Sequence, residues 1–220
     1  GGTEVHTYLL SKALLSHHHV MVFCRVADRQ RPENTLSRGS YDGIPIFRVV
    51  NNFTWSPGPE FEYFCPGLEP VFEQVLDCTR PDVVHFHHLA CGLSTSLPRL
   101  VQRRGIPTVL TLHDFWYMCY GSHLLTSDGR LCPGPENGMR CAQCWLDDRY
   151  RNARPSLEAI RQLGLKEALR RAPGFIRKRL FASQGVAPTF HHTVQLMLRD
   201  AYFRRLLQGF DLLLSPSRFL

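Results

Sequence analysis

Two short stretches of this chain carry side chains suited to chemistry on a ligand. His85, His87 and His88 fall within PDVVHFHHLA, and His113 with Asp114 falls within TVLTLHDFWY. An imidazole titrates near neutrality and can donate or accept a hydrogen bond. A neighbouring carboxylate can fix its ring by accepting an N–H, the role expected of Asp114 toward His113. A third concentration is of sulfur: Cys119, Cys132, Cys141 and Cys144 crowd into 26 residues. Four thiolates can close a tetrahedral zinc site, and metal binding would supply folding energy to a segment poor in apolar residues. Only Cys141 and Cys144 form a compact Cys-x2-Cys pair, so an iron–sulfur cluster or four free thiols stand open beside zinc. Gly1 and Gly2 precede an apolar helical pattern. Backbone there could approach a diphosphate, toward which a helix would aim free N–H groups and its positive end. An ordinary glycine turn is the plain alternative.

These groups need elements to hold them. Val5, Leu9, Leu10, Ala13 and Leu14 form one stripe at helical spacing, so a helix begins at the first residues. His19 to Val26 reads as a buried strand, Arg29 to Asp42 as a polar loop and Ile44 to Val50 as a second strand. An aromatic loop with Trp55, Phe61, Tyr63 and Phe64 follows, and such a cluster more often packs its own loop than binds a ligand. Leu68 to Cys78 has helical spacing, Val83 to Phe86 reads as a strand, and Ser94 to Ser96 can cap a helix with Pro98 in its first turn. Thr108 to Leu112 is the next strand and Phe210 to Leu214 a last, short, buried one. Strands alternating with helices imply βαβ units and a parallel sheet. That order sets His113 and Asp114 beside His85 to His88 at one sheet edge, with His85 and His87 on one face. Open α/β sheets gather ligands at the carboxyl ends of their strands.

Residues 113–148 break the rhythm and read as a Cys-rich insertion, and residues 149–207 as basic helices, all within one domain spanning residues 1–220. The net charge of +7 is concentrated there, because Arg149 to Arg205 holds 13 Lys/Arg against 3 Asp/Glu. Such a surface suits anionic lipid, phosphate or nucleic acid, and equally the solvated faces of helices. No apolar run approaches the roughly 20 residues of a membrane span, and no secretory leader is visible. Without one, reduced thiols in the cytoplasm are expected rather than a disulfide framework. The missing GxGxxG pattern argues against a nicotinamide oxidoreductase.

GGTEVHTYLLSKAL, PDVVHFHHLACGLS, GIPTVLTLHDFWYMC and FDLLLSPSRFL, in this order, resemble the N-terminal domain of family 4 glycosyltransferases. The resemblance implies one Rossmann-like, doubly wound half of a GT-B fold, the half that mainly holds the acceptor. A first strand ahead of Gly1 is missing, as is the donor-binding domain with its two glutamates separated by seven residues. It further implies a retaining enzyme using a nucleotide-diphosphate sugar, with a sugar or lipid-linked acceptor. His113 would contact the transferred sugar with Asp114 beside it, His85 and His87 would lie in the substrate cleft, and Gly1 and Gly2 would meet phosphate. The fragment alone is expected to be inactive and, in the whole enzyme, to work in the cytoplasm near an anionic inner membrane face. A basic, zinc-containing nucleic-acid-binding module is the rival reading, with no groove-reading motif to support it.

Overall fold

A computed structural model describes residues 2–52, 63–90, 92–126, 129–136, 140, 141, 144 and 190–218. Two compact units emerge. One comprises Gly1–Asp114 with Arg205–Leu220, the other Phe115–Arg204.

The first unit opens with helix α1 (Gly2–Leu14), followed by strand β1 (Val22–Val26) and a hairpin of β2 (Leu36–Tyr41) and β3 (Ile44–Val50). The hairpin replaces the second half of the expected polar loop. Its signal was the Asp42-Gly43 turn, where φ is +47° and +79°. Both residues are left-handed there, as a tight right-twisted hairpin demands, and Asp-Gly meets that demand cheaply. β3 pairs parallel to β1 and antiparallel to β2. Helix α2 (Glu69–Thr79) ends at Arg80, itself left-handed at φ +45°, and leads into β4 (Val84–Phe86). Helix α3 (Leu97–Arg103) buries Leu97, Leu100 and Val101 and returns the chain to β5 (Thr108–Thr111). β5 lies parallel between β4 and β6 (Leu212–Leu214).

The α/β class with parallel pairing is the one expected, but the strands form two three-stranded sheets, ordered β1-β3-β2 and β4-β5-β6. Among the described residues β1, β2, β4 and β6 are each hydrogen-bonded to a strand on one side only.

The core lies under the central strands. Val49, Leu110 and Val101 are fully buried, and Phe72 packs between Phe23 and Phe86. Asp211 ties the end of the chain to β5, accepting from the Thr108 amide at 2.7 Å and from its hydroxyl at 2.9 Å. Those bonds hold the Asp211 carboxyl below its ordinary range.

Two elements expose apolar residues, and only the last strand was expected to bury them. Val5, Leu9 and Leu14 of α1 are exposed, and the side turned inward carries Thr3, His6, Thr7, Leu10 and Ser11. A helix has several stripes at the same spacing, and apolarity selected the outward one. Leu212, Leu213 and Leu214 form the expected strand but are exposed, because β6 is the edge of its sheet.

In the second unit, helix α4 (Phe190–Leu207) is described along its last turns, and it continues into the first unit from Arg205. Phe203 is fully buried, with Trp116 and Tyr117 set edgewise against it at 4.8 and 5.6 Å. Arg199 is also buried, its guanidinium 4.4 Å from the centre of the Phe203 ring and bonded to the Trp116 carbonyl. Among the basic helices, residues 149–189 lie outside the described residues, as does the tip of the aromatic loop at 53–62. No helix among the described residues is long and apolar enough to cross a membrane.

Candidate active site

Parallel pairing of Val84 to Phe86 with Thr108 to Leu110 puts the carboxyl ends of β4 and β5 side by side. His85 points from β4 toward β5, where Nε2 meets the Thr111 hydroxyl at 2.8 Å. Two residues on, His87 lies on the same face, its ring stacked over that of His85 at 4.2 Å. His113, just past β5, shares a hydrogen bond with it: His87 Nδ1 and His113 Nε2 are 3.1 Å apart. His88 turns elsewhere. Its Nδ1 accepts from the Ala90 amide at 2.9 Å and its Nε2 pairs with Asp114 at 3.1 Å.

The role expected of Asp114 is therefore redirected. Its carboxylate bonds the His88 ring and reaches His113 as a nearby charge. His88 and Asp114 follow His87 and His113 by one residue in the segments just past β4 and β5, and the two pairs form side by side.

A further imidazole, absent from the expected site, comes from α1. His6 sets its ring edgewise to His113 at 4.9 Å and tilted to His87 at 5.5 Å. Its Nδ1 is shielded from solvent and has no hydrogen-bond partner among the described residues. An orphaned buried group of this kind costs about 1–3 kcal/mol. His6, His87 and His113 bring one ligand atom each to within 4.8 Å of one another. The sequence signal for His6 was its place on the Thr3, Thr7, Leu10, Ser11 side of the helix, hidden by the apolar stripe beside it.

Crowding sets the protonation of this cluster. Burial drives the His87 imidazolium down to about 3, with His85, His113 and His6 adding repulsion. Desolvation likewise lowers His85 and His113, the latter partly offset by Asp114. The three rings are neutral at physiological pH. Each can donate one N–H and accept at one nitrogen, which suits the hydroxyls of a sugar better than it suits proton abstraction.

Gly2 is the first residue of α1, and a Cβ built there meets nothing within 4 Å. The fold itself therefore imposes no need for glycine at this position. Gly1 lies outside the described residues.

Residues 1–176 match the family described as Glycosyltransferase Family 4. The chain belongs to that family. Comparison with curated proteins and with solved structures gave no match. The family match spans both the imidazole cluster of this glycosyltransferase and its cysteine-rich segment, and it supports a nucleotide sugar as donor and a sugar-type acceptor.

In that segment Cys119, Cys132, Cys141 and Cys144 form no disulfide. Burial raises the Cys141 thiol above its ordinary range, and Cys119 and Cys144 stand near enough to add to the rise. Cys132 points its sulfur at the Gly134 carbonyl, 3.4 Å away. The close-set group of metal-type ligands among the described residues is the imidazole triad, not these thiols.

Proposed function

We propose that this chain is the acceptor-side half of a retaining GT-B glycosyltransferase, which moves a sugar from a nucleotide-diphosphate donor to an acceptor hydroxyl in polysaccharide or glycolipid assembly. The observation that carries the reading is the 3.1 Å pairing of His87 with His113 at the carboxyl ends of adjacent parallel strands. His113, neutral and held by His87, positions the sugar and stabilises charge as its bond to diphosphate loosens. Asp114 serves by holding His88, and His85 and His87 line the cleft. Gly1 and Gly2 lie at the α1 start, where a diphosphate would be met by free N–H groups.

Donor binding in such an enzyme falls mostly to a second domain, so these 220 residues alone are expected to show no transfer. In the intact enzyme His113→Ala should lower kcat by on the order of 10² or more, with fold and donor affinity kept. Wild-type kcat with normal stability would leave His113 a structural histidine.

Two subsidiary readings accompany this. The four cysteines hold one structural zinc, a reading favoured by the proximity of Cys119 and Cys144 to Cys141. Elemental analysis should find about one zinc per four-thiolate site. Metal-free protein with the same protease resistance in residues 113–148 would exclude it. The basic residues of 149–207 dock the enzyme on the anionic cytoplasmic face of a membrane, each exposed cation contributing about 1 kcal/mol. Equal binding to neutral and anionic vesicles at low salt would exclude that. Arg199 and Arg204 take no part, being committed to the Phe203 ring and to Asp200. A nucleic-acid partner is disfavoured on the same ground.

A further inference from the structure

We propose that His6, His87 and His113 form a three-imidazole site for a borderline divalent cation of the Zn²⁺, Co²⁺ or Ni²⁺ class, where α1 meets the carboxyl ends of β4 and β5. Three features of the cluster converge on it. The ligand atoms already lie within 4.8 Å of one another, and the His87 and His113 nitrogens are 3.1 Å apart. Imidazole binds zinc at about 2.0–2.1 Å, so two ligand nitrogens of a tetrahedral site stand about 3.3 Å apart. That edge is nearly preformed, and His6 closes the triangle by a shift of up to about 1.5 Å. The second feature is the orphaned Nδ1 of His6, a buried lone pair or N–H for which the fold supplies no partner among the described residues. A cation gives the triad what hydrogen bonds within it do not.

The third feature is the selectivity of the surroundings. His85 is tied to Thr111, and His88 uses one nitrogen on Ala90 and the other on Asp114. Both are thereby set apart from the ligand group, though each is as close in sequence as His87. Neutral nitrogen ligands without a carboxylate favour borderline over hard cations, so Mg²⁺ and Ca²⁺ are not expected to bind. Three ligands leave a fourth position for water or for an oxygen of a bound substrate. The site stands on geometry alone. Its effect on transfer rests on the proposed role of His113, whose sugar-binding nitrogen the ion would occupy, making the cation an inhibitor.

The test is cobalt titration of the intact protein carrying His17→Ala, His18→Ala and His19→Ala, because that exposed run of imidazoles would otherwise bind metal. Beyond any equivalent taken up by the cysteines, one equivalent of Co²⁺ should develop visible ligand-field bands with no further growth of the near-ultraviolet charge-transfer band of cobalt thiolate. His6→Gln should weaken binding at least tenfold, and His88→Gln should not. With Zn²⁺ and the unsubstituted triad, imidazole nitrogen resonances of His6, His87 and His113 should shift while that of His85 stays. This measurement holds even where a variant fails to fold. Unchanged affinity in folded His6→Gln, Co²⁺ uptake solely at thiolates, or nitrogen shifts at His85 or His88 in place of the triad would each overturn the proposal. Binding needs no turnover, so a failed site and a failed transferase reading give different results.

Discussion

Two clusters of ligand-type side chains, one of nitrogen and one of sulfur, arrive by different means. The imidazoles of His85, His87 and His113 stand on or just beyond paired strands whose register is fixed by the ladder from Val84–Thr108 to Phe86–Leu110. Their separations follow from that register. The thiols hang on a backbone held by local turns, such as the bonds from Met118 and Cys119 amides to the Phe115 carbonyl. There Ser122, Leu124 and Glu136 adopt left-handed backbone, at φ of 64°, 52° and 48°, which non-glycine residues take at a cost. Leu125 and Leu131 remain exposed in the same stretch. Proximity in sequence is thus a poor guide to proximity in space. The thiols sit within 26 residues of one another, whereas His6 is 107 positions from His113 and joins its cluster.

The comparison can be broken most severely at its supports. Leu110 of β5 is fully buried, and Leu110→Ala should cost about 2–5 kcal/mol of unfolding free energy. Leu131 is 77% exposed, and Leu131→Ala should change stability by less than about 0.5 kcal/mol. Urea denaturation of both variants checks the pair, and equal losses would mean that the cysteine-rich segment has its own packed core. On transfer by the intact enzyme the ordering should persist: His87→Ala lowers kcat by about tenfold through lost support of His113, while Cys141→Ser leaves it within about twofold. A larger effect from the thiol would make sulfur the more important cluster for catalysis.

Acid should separate the clusters more gently. The His87 imidazole has an ordinary value of 6.5 and a folded value of about 3, so between these limits the unfolded chain binds the proton that the folded chain refuses. Stability is then fully present above about pH 6.5 and falls as pH drops toward about 3, since the state binding more protons gains on acidification. The urea midpoint should fall between about pH 7.5 and about pH 5, above the range where most carboxylates titrate. His87→Phe should flatten that slope. The Cys141 thiol, raised by burial, stays protonated throughout and contributes nothing to it. Arg199→Lys removes the planar guanidinium over Phe203 and should cost about 1 kcal/mol in the same urea denaturation.

What was legible in the sequence was what periodicity and order encode. β3 has the limits expected of it, Ile44 to Val50, and the alternation of strands with α2 and α3 gave the parallel class. Adjacency of the His85 to His88 segment with His113 followed from strand order. What order could not encode was pairing one residue finer, which sends Asp114 to His88. Nor could hydropathy reveal which side of α1 faces in, because its inward side is polar where it meets the imidazoles. β2 was missed because Leu36 to Tyr41 is mostly polar and exposed, leaving only the Asp-Gly turn to announce a hairpin.

Among the described residues four strands are bonded on one side only, and two of them, β1 and β4, also govern how these 220 residues will behave as a purified protein. A one-sided strand presents a row of amide and carbonyl groups as a template for another chain. β4 carries Val84, His85 and Phe86, with neither lysine nor proline to discourage docking, and β1 carries Val22, Phe23 and Cys24 beside a single arginine. Edge-to-edge recruitment of a second copy would extend either sheet while burying Val22 or Val84, both now only partly covered. The 220-residue chain is therefore expected to self-associate with rising concentration, through backbone pairing that salt barely weakens.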